Sequence, residues 1–302
     1  MGFLDAFRKG DATITLAVDP PSPSPGDEVT LRADVAGALD DRAQGLRLAL
    51  RCTEHYLVWD KDPGDDHAEQ EWRSATLHEE REELEAAPGA HTATFTLPAG
   101  LPHSSADAVR WRAEARIDRH RGRDAKAEQE LHVPAPAAAL PAGTLGAVVG
   151  EAGVGLEGLP AAVAPGATLE GVVVVTPPED VRTTGVLVRL RRRRTYTATG
   201  HDLGNASLTV GGMTFGSGRS TIHKDEEVAE LELQGGGELA AGHTVRLPFA
   251  LPVPADAGPS VVAPHAVVRW QVEAVLARRM RGDHTAVAEV VVAGASAATP
   301  GG

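Results

Sequence analysis

Hydrophobic and polar residues alternate with a period of two along several stretches of the chain. The clearest stretch runs from Val109 to Asp118, where Trp111 and Ile117 belong to the apolar face and charged residues lie between the apolar ones. Such alternation is typical of a strand that buries one face against a core. The 33 glycines and 21 prolines favour frequent turns. The pattern therefore predicts many short strands that pack as a β-sandwich.

The chain reads as an internal duplication, because four blocks recur in the same order and the spacing between copies only grows along the chain. The matched pairs are Pro25-Gly26 with Pro165-Gly166, Gly45–Arg51 with Gly185–Arg191, Phe95–Pro98 with Phe249–Pro252, and Val109–Ala115 with Val268–Ala274. Tyr56 and Tyr196 match at the same spacing as the first two blocks. The alignment predicts that Trp111 and Trp270 occupy equivalent core positions.

The duplication defines the predicted domain organisation. We expect one sandwich over residues 1–136, a Pro/Ala-rich linker over 137–146, a second sandwich over 147–293 and a flexible tail over 294–302. One segment, His78–Ala87, is also rich in helix-forming residues. Its counterpart Ile222–Leu233 ends in strand-like alternation, so both segments are predicted to be strands.

The order of these blocks resembles the arrestin-like fold, in which two immunoglobulin-type β-sandwich domains follow one another. In the second copy, Leu247–Pro254 followed by Val268–Trp270 is similar to the arrestin pattern. The first copy resembles more closely the bacterial sporulation-control family typified by sporulation stage-zero protein M. The residues that carry this second resemblance are Gly2–Phe7, Pro25–Glu28, Leu50–Tyr56 and Leu101–His103. The fold class implied is all-β, with two tandem arrestin-like domains.

Charge and cysteine content restrict the cellular role. The net charge of −13 argues against binding to nucleic acid or to an anionic membrane by overall attraction. The single cysteine, Cys52, excludes an intramolecular disulfide and fits a reducing cytoplasm. No apolar run reaches the roughly 18 residues that a transmembrane helix requires. We therefore expect a cytoplasmic protein.

Motifs for catalysis or for cofactor binding are not found in the sequence. The G-x-S-x-G elbow, the P-loop, the dinucleotide fingerprint and the H-E-x-x-H motif do not occur. Cys52 lies in the inward phase of a strand, as a buried, inert thiol would. The acidic segment Asp60–His67 could bind a hard cation, but it lacks the EF-hand spacing and reads better as a solvated turn. The prediction is no enzyme, no cofactor and no metal.

The run Arg189–Arg194 is the most unusual feature of an acidic protein. Strand phase places Arg189, Arg191 and Arg193 outward, where they could bind an acidic or phosphorylated partner segment. Arg192 and Arg194 continue the inward face, so they must be paired or lie near a strand end. They could form a polar latch between domains or an anion-receiving patch, since buried charge networks are implied by the arrestin resemblance. A solvated, charge-protected strand edge is the structural alternative.

Two functions remain open at this point. The resemblance implies a non-enzymatic adaptor that binds partner proteins in sporulation, development or stress control. The alternative is a structural or ligand-binding component of a larger assembly. The opening peptide, with Phe3, Leu4 and Phe7 at helical spacing, is expected to pack on its own domain or to dock on a partner or membrane surface.

Overall fold

The structure is a computed structural model of the 302-residue chain. It describes residues 12–39, 41–60, 69–120, 124–135, 140–198, 208–210, 213–215, 220–279 and 281–294. The opening peptide with Phe3, Leu4 and Phe7, and residues 61–67 of the acidic segment, lie outside the described residues. Apart from a single 3-10 turn at Glu151–Gly153, the regular structure in the described ranges consists of strands. The all-β prediction is confirmed.

The first half of the chain forms two antiparallel sheets. Its strands are β1 (Thr13–Asp19), β2 (Glu28–Ala36), β3 (Ala43–Asp60), β4 (Glu69–Leu84), β5 (Gly89–Thr96), β6 (Val109–Arg119) and β7 (Ala125–Leu131). One sheet has the order β1-β2-β5 and the other the order β4-β3-β6-β7. Both sheets contribute to the core, for example through the fully buried Leu31, Leu48 and Trp111. The segment around His78 is strand β4, as predicted.

The second half repeats this arrangement with additional short strands. Its strands are β8 (Val148–Val149), β9 (Val154–Glu157), β10 (Ala162–Val163), β11 (Thr168–Val175), β12 (Val181–Ala198), β13 (Leu208–Val210), β14 (Met213–Phe215), β15 (Ser220–Leu239), β16 (Val245–Pro252), β17 (Val261–Val262), β18 (Ala266–Arg278) and β19 (His284–Val292). One sheet has the order β16-β11-β9-β8, and a larger one has the order β10-β19-β18-β12-β15, with β17 paired to β18. A single hydrophobic core draws residues from both sheets.

Cross-strand register confirms the alignment of the two copies. Trp111 of β6 pairs with Cys52 of β3, and Trp270 of β18 pairs with Arg192, which stands at the position that matches Cys52. Both tryptophans are 1% exposed, and each indole Nε1 donates to a backbone carbonyl at 3.0 Å. The hairpin after each strand is also closed alike. The backbone N–H of Arg119 donates to Asp124, and that of Arg278 donates to Asp283, both at 2.9 Å.

Internal packing divides the chain into two compact units. The first contains the chain up to His55 together with Ser74–Ala135, and the second contains Tyr56–Arg73 together with Pro136–Ser296. The far ends of β3 and β4 are therefore grouped with the second unit. The domain limits proposed from the sequence, including the linker over 137–146, stay predictions.

Candidate functional site

The arginine run lies on strand β12 and faces an acidic stretch of strand β15. Antiparallel register sets Arg189 opposite Glu230, Arg191 opposite Glu227, Arg192 opposite Glu226 and Arg193 opposite Asp225. Strand β15 stands at the end of the strand order of its sheet. Opposite charges on directly facing positions stabilise an antiparallel pair. We call Arg189–Arg194 and the carboxylates that they contact the arginine–carboxylate network.

The three arginines predicted to face outward are each bound to carboxylates of their own domain. Nε of Arg189 lies 2.6 Å from Oε2 of Glu230, and Arg191 donates to Glu273 of β18 at 3.2 Å. Arg193 binds Asp225 through two parallel hydrogen bonds of 2.7 and 2.8 Å. This bidentate geometry matches the planar guanidinium group to a carboxylate and is stronger than a single contact.

The two arginines predicted to face inward share one carboxylate. Arg192 and Arg194 donate to the same oxygen of Glu226, at 2.6 and 3.2 Å. The guanidinium of Arg192 also lies 5.8 Å from the ring centroid of Trp270, within the range of a cation–π contact. Their side chains are 19% and 25% exposed. The expectation that inward arginines must be paired is confirmed.

A β-bulge brings the carboxylates into register with the arginines. The pairing of β12 with β15 shifts between Leu190 and Arg191, so Val228 has no direct partner on β12. Val228 and Ala229 are consecutive, yet both pack against the core. An extra residue on one strand permits this, because it reverses the alternation of faces beyond the bulge. Glu227 therefore lies opposite an arginine, where a regular ladder would set Val228.

Ion pairing holds these carboxylates in their charged form. The hydrogen bond from Arg193, opposed by partial burial, lowers the pKa of Asp225, and Arg191 adds to the effect. The hydrogen bond from Arg192 similarly lowers the pKa of Glu226. On the basic side, the bond to Glu230 raises the pKa of Arg189. Each of the five arginines thus has a carboxylate of its own domain as a partner.

A second polar region, which the sequence did not reveal, lies on the outer face of the β4-β3-β6-β7 sheet of the first unit. A cavity of about 220 Å³ opens there. It is lined by Ala49, Arg51, Thr53, His55, Ser74, Arg110, Arg112, Glu114 and Glu128. The odd-numbered residues of β3 alternate with the buried Leu48, Leu50 and Cys52, which places them on the face turned away from the core. We call this region the three-arginine cavity.

The pKa of His55, which lines this cavity, reflects the charges around it. Its Nδ1 lies 3.0 Å from the hydroxyl oxygen of Ser74. Burial lowers the pKa of His55, and the positive charges of Arg110 and Arg112 lower it further, against a smaller opposing effect from Glu130. The imidazole is therefore neutral at pH 7, in surroundings that disfavour a further cation.

Cys52 is fully buried, as predicted. Burial raises the pKa of its thiol to about 12, and Glu54 contributes to the rise. Among the described residues, no group of three or more histidine, cysteine, aspartate or glutamate side chains is arranged to hold a metal ion. Within those same ranges, no helix has the length and hydrophobicity to cross a bilayer.

Comparison with known proteins supports the fold assignment for the second unit. Residues 160–295 match the family described as arrestin (or S-antigen), N-terminal domain. This match covers less than half of the chain, and it includes the whole arginine–carboxylate network. No curated protein matches the chain. The arrestin-like part of the predicted resemblance is therefore supported, and the likeness to the sporulation-control family stays a prediction.

Proposed function

We propose that the protein is a non-enzymatic adaptor that binds partner proteins through its arrestin-like domains. The observation that carries the proposal is the match of residues 160–295 to an arrestin domain, in which the arginine–carboxylate network joins β12 to the outer strand β15. A cytoplasmic role in sporulation, development or stress control is the biological setting that we infer from the sequence. No nucleic acid, cofactor or membrane anchor enters the proposal.

The contacting segment of the partner is proposed to be acidic or phosphorylated and to bind Arg189, Arg191 and Arg193. Their side chains are 29%, 31% and 38% exposed, so a segment lying along β12 and β15 can reach them. Ion pairs at such exposed sites contribute only about 0–1 kcal/mol each. A partner carboxylate or phosphate can therefore replace Asp225 or Glu227 at small cost. Replacing a carboxylate of the protein by an acidic group of the partner contributes more to the specificity of binding than to its affinity. The reason is that the arginines and carboxylates of the network nearly cancel in charge.

The test compares two triple variants with the same change in charge. Arg189→Ser/Arg191→Ser/Arg193→Ser removes the proposed contacts, and Arg182→Ser/Arg246→Ser/Arg281→Ser removes three other exposed arginines of the same domain. Partners are captured by crosslinking in the native cell, purified, and titrated against each protein at several salt concentrations. We expect the first variant to keep its circular dichroism spectrum, to bind partner more weakly and to lose salt dependence.

Three results would contradict this assignment. If the first variant and the wild-type protein bound the partner equally well at low salt, the network would be a solvated surface that does not take part in binding. Unfolding of the first variant alone would make the arginines structural. Recovery of the protein in a particle of fixed stoichiometry would favour the alternative function, a structural component of an assembly.

A further inference from the structure

The three-arginine cavity brings together three guanidinium groups whose positive charge the surrounding carboxylates offset only in part. Register places Arg51 of β3 directly opposite Arg112 of β6, with Arg110 opposite Thr53 on the same face. Like charges on directly facing positions destabilise an antiparallel pair. A bound anion between the guanidinium groups would turn the repulsion into attraction.

Hydrogen bonding in the cavity leaves donors unused. Nη2 of Arg51 donates to Glu79 at 3.1 Å, but its Nε is buried without an acceptor among the described residues. Within the same described ranges, neither Arg110 nor Arg112 has a carboxylate oxygen within 4.0 Å. Glu130 stands opposite Arg112 in the register with β7, yet it forms no ion pair by this distance. A buried donor without an acceptor is costly, and a ligand oxygen would satisfy it.

The two carboxylates that line the other end of the cavity are already engaged. Nζ of Lys126 lies 3.0 Å from Glu114 and 2.7 Å from Glu128. These bonds raise the pKa of Lys126 and lower that of Glu128. Lys126 holds both carboxylates directly, whereas Arg51 and Arg112 act on Glu128 only through space, as smaller causes of its lowered pKa. The positive charge of the arginines is therefore only partly offset by these carboxylates.

We propose that this cavity binds the phosphate group of a small anionic molecule. Guanidinium groups bind phosphate oxygens bidentately. The potential donors come from three strands, since Arg51 and Thr53 lie on β3, Ser74 on β4, and Arg110 and Arg112 on β6. Donors from several directions suit a tetrahedral group better than a planar carboxylate. The volume lies below the roughly 300–1,000 Å³ of sites for drug-sized ligands, so a phosphate with few attached atoms fits. The proposal is independent of the adaptor function.

Calorimetric titration with inorganic phosphate and with glycerol 3-phosphate tests the proposal on the full chain, with chloride at matched ionic strength as the salt control. We expect saturable binding of both phosphates at one site. Arg110→Gln/Arg112→Gln should weaken binding at least tenfold. The matched control Arg32→Gln/Arg81→Gln removes two exposed arginines of the same unit, 62% and 58% exposed, and should change affinity less than twofold.

Two further measurements keep the test decisive if a variant is unstable. In the wild-type protein, phosphate should shift the amide resonances of Thr53, His55 and Ser74 more than those of residues elsewhere. It should also raise the melting temperature above the effect of chloride, because a ligand that binds the native state stabilises it. Absence of saturable binding, equal losses in both double variants, or binding of a phosphoserine peptide but of neither small phosphate would each overturn the proposal.

Discussion

At equivalent positions of the two units, single side chains differ in chemistry and in the contacts that they make. Cys52 and Arg192 stand at matching points of the repeat, each paired across the sheet with a buried tryptophan. In the first unit the position holds a small, fully buried thiol. In the second it holds a guanidinium that lies over the indole and binds Glu226. The position is apolar in one unit and charged in the other, and in both it lies beside the buried tryptophan.

The pKa of His55 gives a prediction at this scale. Removing one positive neighbour in Arg110→Gln should raise the pKa of His55, because Arg110 acts with Arg112 and burial to lower it, while Glu130 opposes them. Ser74, which contacts the ring, does not titrate. The pKa is measured by NMR titration of the imidazole resonances in phosphate-free buffer. The exposed Arg32→Gln is the control, and an unchanged pKa in Arg110→Gln would contradict the assigned cause.

Residue patterns identified the faces of the strands but not the partners across them. Period-two alternation correctly placed Trp111, Trp270 and Cys52 in the cores and separated outward from inward arginines. The partners of those arginines depend on register, and register here depends on a bulge at Val228 that has no sequence signature in isolation. The acidic run Asp225–Glu227 could have indicated the partners of the arginines, since its negative charge complements their positive charge.

The three-arginine cavity was hidden from the sequence for a related reason. Arg51 lies on β3 and the other two arginines lie on β6, more than fifty residues further along the chain. In its own stretch of sequence, each arginine is an ordinary charged residue on the outward face of an alternating strand. Only the pairing of Arg51 with Arg112 shows that two positive charges face each other. Local patterns therefore predict which residues are exposed, and tertiary pairing decides which exposed residues form a site.

At the scale of elements, the arginine–carboxylate network ties the outer strand β15 to β12. It supplies side-chain contacts on both sides of the bulge, where the regular ladder is interrupted. Charged residues on an edge strand also discourage pairing with another chain. When no partner is bound, the network can therefore hold the strand in register.

Acid should weaken this connection. The pKa of Asp225 is lowered below its ordinary value of 3.8, so its contribution to stability is complete above that value and is lost as pH falls through the lower, folded-state pKa. We expect Asp225→Asn to lower the free energy of unfolding by about 1 kcal/mol at pH 7. The difference from the wild-type protein should vanish at acid pH.

Urea unfolding between pH 7 and pH 2 measures this dependence. The control is Asp34→Asn, a change at a 54% exposed aspartate of the first unit, which we expect to alter stability by less than about 0.5 kcal/mol. A constant difference between Asp225→Asn and the wild-type protein at every pH would show that ionisation of Asp225 does not contribute.

At the scale of the whole molecule, the duplication has produced two cores with the same plan. The core of the second unit is a cluster formed entirely by residues between Val154 and Val292. The buried Leu31, Leu48 and Trp111 belong to the first unit. Each unit therefore contains its own buried tryptophan, hydrogen-bonded in the same way, and a change in one core is expected to act first on its own unit.

Truncating each tryptophan tests this expectation. Trp111→Ala and Trp270→Ala should each cost about 3–5 kcal/mol, as large-to-small changes in a core do. Trp270→Ala also removes the ring beneath Arg192. Hydrogen exchange should show protection lost across β6 and its neighbours in the first variant and across β18 and its neighbours in the second. Val262→Ala, at a side chain 71% exposed, is the control with little expected effect. If either tryptophan variant lost protection equally in both units, the two cores would form one cooperative unit, and the expectation that a change in one core acts first on its own unit would be wrong.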